Sequence, residues 1–107
     1  MPYVLVILNG GANAAAEPLH APAHEDFISS LIRRNVVLLG GAFAEPLGSV
    51  YAAYLLRCGG VEEARAIAAE DPFVVQEVVR PECVEWQLVG INPNAIDPSA
   101  VVRPDDV

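Results

Sequence analysis

Asp71-Pro72-Phe73 follows directly on a short Ala-rich stretch of helical pattern. Proline cannot continue a helix, and it pushes the residue before it out of the α region. Asp71 is therefore expected as a carboxylate held at a helix stop, aimed by Pro72 and backed by the ring of Phe73. His24 is a second ionisable group, expected near the start of an earlier helix, where positions 24, 27, 28 and 31 share one face. A carboxylate raises the pKa of an imidazole and apolar surroundings lower it, so such a pair can be poised near neutrality. A pair of that kind moves protons on and off carbon or oxygen as a general acid and base. The alternative is a buried pair that only docks one helix on the other. Asp before Pro is also a common way to leave a helix, with the side chain bonding local N–H groups.

Other residues could line a site around that pair. Pro72 and Phe73 are carried with Asp71, although Phe is more often core than a substrate platform. Gly40-Gly41 could let a ligand approach the backbone, with Gly41 as the candidate, and a strand bend explains the two glycines equally well. Tyr51 and Tyr54 are three apart in a predicted strand and face opposite sides. Either could line the pocket, and Tyr54 is taken as the candidate. Trp86 is expected in the core, His20 in a solvated loop, and Glu62, Glu63 and Glu70 on a solvated helix face.

Composition bounds the rest. A chain of 107 residues fits one domain with a modest core, and 53% of its residues are hydrophobic. No run reaches the ~18 apolar residues that span a bilayer. Met1-Pro2 leads straight into a strand-like segment without a basic n-region, so the expected location is the cytoplasm. Net charge is −8 and every basic residue is Arg, which argues against nucleic acid and anionic membrane surfaces as partners. Cys58 and Cys83 match no metal spacing, and only two His are present. No metal and no cofactor are expected.

Six elements position these residues. Tyr3 to Leu8 is a continuous apolar run and reads as a strand buried on both faces. After a small-residue loop over 9–21, Pro22 opens a helix with Phe27, Ile28, Leu31 and Ile32 inward, closed at Asn35. Strands are expected over 36–44 and 50–58, joined by a turn at 45–49. A second helix over 61–70 and a last strand over 77–87, carrying Pro81, complete the order βαββαβ. That is the α+β, ferredoxin-like arrangement: a four-stranded antiparallel sheet of order 4-1-3-2 with both helices on one face. The proline suits an edge strand. Cys58 and Cys83 then lie about 10 Å apart, two strand spacings, beyond the ~7 Å reach of a disulfide. Because the first strand is apolar on both sides, the helix-free face should be covered by a second copy in a homodimer. Residues 1–87 form the domain, and 88–107 form an extended Pro-containing arm whose Ile91, Ile96, Val101 and Val102 could dock on either subunit or fray.

Together, His24 with Phe27-Ile28, the strand ending at Gly40-Gly41, Glu62-Glu63-Ala64-Arg65-Ala66, Asp71-Pro72-Phe73 and Trp86 resemble the YCII-related (YciI-like) family over residues 3–86. The resemblance implies a ferredoxin-like, usually dimeric protein related to the dimeric α+β barrels that include muconolactone isomerase. It implies a His–Asp site, which falls on His24 and Asp71. The activity it brings is dehydrochlorination of chlorinated hydroxyquinols. Many relatives carry an Arg shortly before the His, where this chain has His20 and Ala21, and the family pattern does not extend beyond residue 86.

The expected function is therefore a cofactor-independent lyase, or an isomerase, acting by proton transfer on a small oxygenated ring compound. The alternative is a non-catalytic ligand-binding or accessory module in which His24 and Asp71 are structural. A closed apolar pocket around both side chains would favour catalysis, and a solvent-filled groove would favour binding.

Overall fold

The computed structural model describes residues 1–101. Strand β1 (Tyr3–Gly10) runs down the middle of the sheet. Its alternate residues Val4, Val6 and Leu8 are buried, while Leu5 and Ile7 on the other face are only partly covered. Helix α1 (Glu17–Arg33) returns over the sheet and ends at Asn35, whose φ of 60° supplies the left-handed residue past the cap. Strands β2 (Val37–Leu47) and β3 (Val50–Arg57) form a hairpin turned at Gly48, also at φ 60°. Helix α2 (Val61–Ala68) and the single-turn helix α3 (Pro72–Val75) lead into the edge strand β4 (Val79–Glu85).

The sheet order is β2-β3-β1-β4, antiparallel throughout, and the fold is the α+β ferredoxin-like one expected from the sequence. Pro81 lies on β4, which pairs only with β1, so its missing N–H interrupts no inner ladder. The core is the layer between sheet and helices. Val4, Val6, Leu8, Tyr54 and Leu56 rise from the sheet to meet Leu31 of α1, Ala64 and Ala68 of α2, and Phe73 of α3. The two alanines of α2 let that helix sit close to the strands. Cys58 and Cys83 are both free thiols.

Several boundaries differ from the sequence reading. Helix α1 begins at Glu17, with Pro18 in its first turn, so Pro22 and His20 lie inside it. Pro22 lies beyond the first turn, so the carbonyl of Pro18 four residues earlier loses its intrahelical donor there. His24 is consequently in the helix interior and not at its start. Strand β2 continues to Leu47, into the expected turn at 45–49, because the hairpin closes at Gly48 while residues 43–46 leave the ladder. Helix α3 was unforeseen. Trp86 is half exposed at the rim of the helix-free face, not in the core of the chain. The arm carries 3₁₀ turns at Pro93–Ala95 and Pro98–Ala100, nucleated by the Asn92 and Asp97 side chains that accept from Asn94 and Ser99 N–H. Ile91, Ile96 and Val101 are exposed, so within one chain none of them docks. Val102 lies outside the described residues.

Candidate active site

Asp71 ends one helix and starts the next. Its extended backbone (φ −60°, ψ 125°) follows from the proline after it, and its Oδ1 accepts the Phe73 N–H at 2.9 Å as the N-cap of α3. Pro72 in the first turn of α3 lacks a donor where none is needed. Phe73 is thereby placed in the core with its ring under α1.

His24 reaches the same point from above. Its Nδ1 lies 2.8 Å from Asp71 Oδ1 and 2.9 Å from Oδ2, and its ring stacks on Phe73 with centroids 4.1 Å apart and planes 8° from parallel. Asp71 is fully buried, whereas the His24 side chain keeps 17% of its surface exposed. An ionised carboxylate only accepts, so it holds the imidazole in the tautomer with the proton on Nδ1. Nε2 has no protein partner among the described residues and is not sealed from solvent. A ring fixed by a hydrogen bond to the carboxylate on one nitrogen and a stacked phenyl on its face can present the other nitrogen to a ligand. It can then take up or deliver a proton there.

Tyr54 lies on the helix-covered face of β3, opposite Val6 of β1 and Gly40 of β2. Its hydroxyl is buried without a hydrogen-bond partner among the described residues. Burial pushes its pKa far above the usual phenol range, and the negative charges of Asp71 and then Cys83 add to the shift. Gly41 pairs with Ala53 and so belongs to the opposite face of the sheet, away from His24. The glycine on the helix-covered face is Gly40, where a Cβ would stand 2.6 Å from Tyr54 Cβ. Of the residues expected at the site, the fold thus gathers His24, Asp71, Pro72 and Phe73. Tyr54 shares the buried core cluster with Phe73, and Gly41 lies on the other face of the sheet.

Two surface depressions are prominent. One of about 490 Å³ lies between Arg65 of α2 and Pro81–Cys83 of β4. The other, about 320 Å³, is an apolar groove over β2 and β3, bordered by Leu5, Leu39 and Trp86 from one sheet face and by Gly40, Ala42 and Tyr54 from the other. Neither includes His24 or Asp71. No group of three or more His, Cys, Asp or Glu side chains converges on a metal position among the described residues. Among those residues, no helix is long and apolar enough to cross a membrane.

The fold is shared with a solved dehydrochlorinase. The chain superposes on 5-chloro-2-hydroxyhydroquinone dehydrochlorinase (TftG) from Burkholderia phenoliruptrix, solved in complex with 2,5-dihydroxybenzoquinone, with a TM-score of 0.64. The match covers 79% of this chain and 93% of that one at 13% sequence identity, a likeness of fold. No protein-family model and no curated protein sequence matches the chain.

Proposed function

We propose that this protein is a cofactor-independent enzyme that uses His24 and Asp71 as a general acid–base pair on a small oxygenated ring compound. The reaction we assign is elimination, most concretely dehydrochlorination of a chlorinated hydroxyquinol. Isomerisation of a related enol or lactone would use the same pair. The observation that carries the reading is the bond from His24 Nδ1 to both oxygens of Asp71, with Nε2 left unpaired by protein. The fold shared with a dehydrochlorinase supports the reaction class. In the elimination the ring reacts as its keto tautomer, with hydrogen and chlorine on one sp3 carbon. Nε2 takes a hydroxyl proton, and the O–H electron pair forms the quinone C=O. The adjacent C=C pair shifts towards the sp3 carbon, chloride departs with the electron pair of the C–Cl bond, and the imidazolium returns its proton to water. Asp71 keeps its negative charge beside the ring and stabilises the imidazolium as it forms. Phe73 and Pro72 hold both side chains in place.

The working unit in this reading is a homodimer. Leu39, Phe43, Val84 and Trp86 are exposed on the sheet face that carries no helix. A second copy, packed sheet on sheet, would cover them.

Two observations favour the structural alternative, the first being that neither surface depression includes His24 or Asp71. Asp71 is fully buried and caps α3 while holding His24, so the pair also fastens α1 to α3. Activity on chlorinated hydroxyquinols, hydroxyquinols and muconolactones, measured beside thermal melts, separates the two. For an enzyme, His24→Ala lowers turnover by roughly 10²–10⁴ with the fold intact. Full activity in a destabilised His24→Ala variant would leave only the fastening role.

A further inference from the structure

A phenol hydroxyl sealed in a core without a partner calls for a physical explanation, because a buried unsatisfied donor destabilises the folded state. Tyr54 is in that position. The residue is 3% exposed, and its hydroxyl meets no donor or acceptor among the described residues. Phenylalanine would fill the same space without the penalty.

Its place in the fold shows what the hydroxyl could serve. Tyr54 rises from β3 on the face covered by α1, α2 and α3, within the same buried cluster as Phe73. Phe73 is the residue on which His24 stacks. The negative charge of Asp71 adds to burial in raising the pKa of the phenol. An ionised Asp71 accepts and cannot donate, and the phenol stays protonated because burial disfavours its anion. The hydroxyl is therefore held as a donor.

There is also a side from which a ligand can approach. Gly40, the cross-strand partner of Tyr54, and Ala42 two residues on share the helix-covered face and are both exposed. The sheet beside Tyr54 thus ends in bare backbone and a methyl group, not in a wall of large side chains. Gly40, Ala42 and Tyr54 together border the apolar groove of about 320 Å³.

We infer that the Tyr54 hydroxyl donates a hydrogen bond to an oxygen substituent of the ring compound on which His24 and Asp71 act. The inference rests on the acid–base reading of that pair and adds a named contact to it. Tyr54 would then recognise a carbonyl or phenolate oxygen while His24 exchanges the proton. A ring without oxygen on that side would forgo this bond and bind correspondingly more weakly.

Tyr54→Phe tests this with 2,5-dihydroxybenzoquinone as the probe, using calorimetric titration beside thermal melts. The expected result is binding weakened roughly 3- to 10-fold, the value of one neutral hydrogen bond, with a melting temperature that holds or rises. Unchanged affinity overturns the inference. So does a lowered melting temperature, whatever the affinity, since the hydroxyl would then have a partner in the free protein. If Tyr54→Phe keeps full affinity while His24→Ala loses turnover, only the Tyr54 contact is lost and the pair stands. A parent protein that takes up no quinone overturns the reading of the site and this inference with it.

Discussion

His24 and Phe73 lie ring on ring, 4.1 Å between centroids, and the same Asp71 side chain that holds the His24 Nδ1 also caps the helix on which Phe73 stands. The imidazole is thus fixed by two contacts that share one origin. The arrangement is over-determined: α1 cannot shift along α3 without breaking the stack and the hydrogen bond to Asp71 together. Such rigidity is what a proton-transfer group needs, and it also ties the site to the stability of the fold.

Removing the carboxylate therefore carries a large expected cost. Asp71→Ala deprives the Phe73 N–H of its cap and the His24 ring of its partner, leaving polar groups unsatisfied at about 1–3 kcal/mol. Asp71→Asn keeps an oxygen for the cap but loses the charge. Thermal melts should rank the parent above Asp71→Asn and Asp71→Asn above Asp71→Ala. Equal melting temperatures for the two variants would show that the cap contributes nothing.

Tyr54 makes stability sensitive to alkali. Its folded-state pKa lies above the ordinary phenol value, so the folded protein holds this proton longer than the unfolded chain does. The stabilisation is fully present below about pH 10 and is lost as pH rises towards the folded value. Denaturant unfolding followed from pH 8 to 11 should show falling stability at the upper end, and Tyr54→Phe should show a shallower fall. Identical slopes would mean that Tyr54 does not ionise on unfolding in that range.

The exposed sheet face makes a third expectation. Leu39 is 58% and Trp86 50% exposed on one chain, which is unusual for large apolar side chains grouped on a sheet. Light scattering at micromolar concentration should report twice the chain mass, and Leu39→Glu should return the protein to a monomer by placing a charge in the contact. A monomeric parent would contradict the packing of two copies sheet on sheet.

Much of this site was legible in the residues themselves. The run Tyr3–Leu8 could only be a central strand, and Pro81 could only be tolerated at an edge, so the sheet order followed from hydrogen bonding and burial. Asp71-Pro72 also carried a second message. An N-cap residue followed by proline is a helix start as much as a helix stop, and α3 was readable there. The alternation of a strand was enough to place Tyr51 and Tyr54 on different faces, but not to say which face would receive the helices.

What only the tertiary structure decided was registration between elements far apart in sequence. Period-2 patterning assigns a face to each residue but not its partner across the sheet, so an irregularity between Val37 and Leu39 was enough to set Gly40, and not Gly41, beside Tyr54. The stack of His24 on Phe73 likewise needed the angle of α1 on the sheet, which depends on the packing of Leu31 and Ala68 and on no local signal. Local sequence determined which side chains could do chemistry, through backbone conformations that proline and capping impose on near neighbours. Which of them meet was decided by the close packing of the core, a property of the whole chain at once.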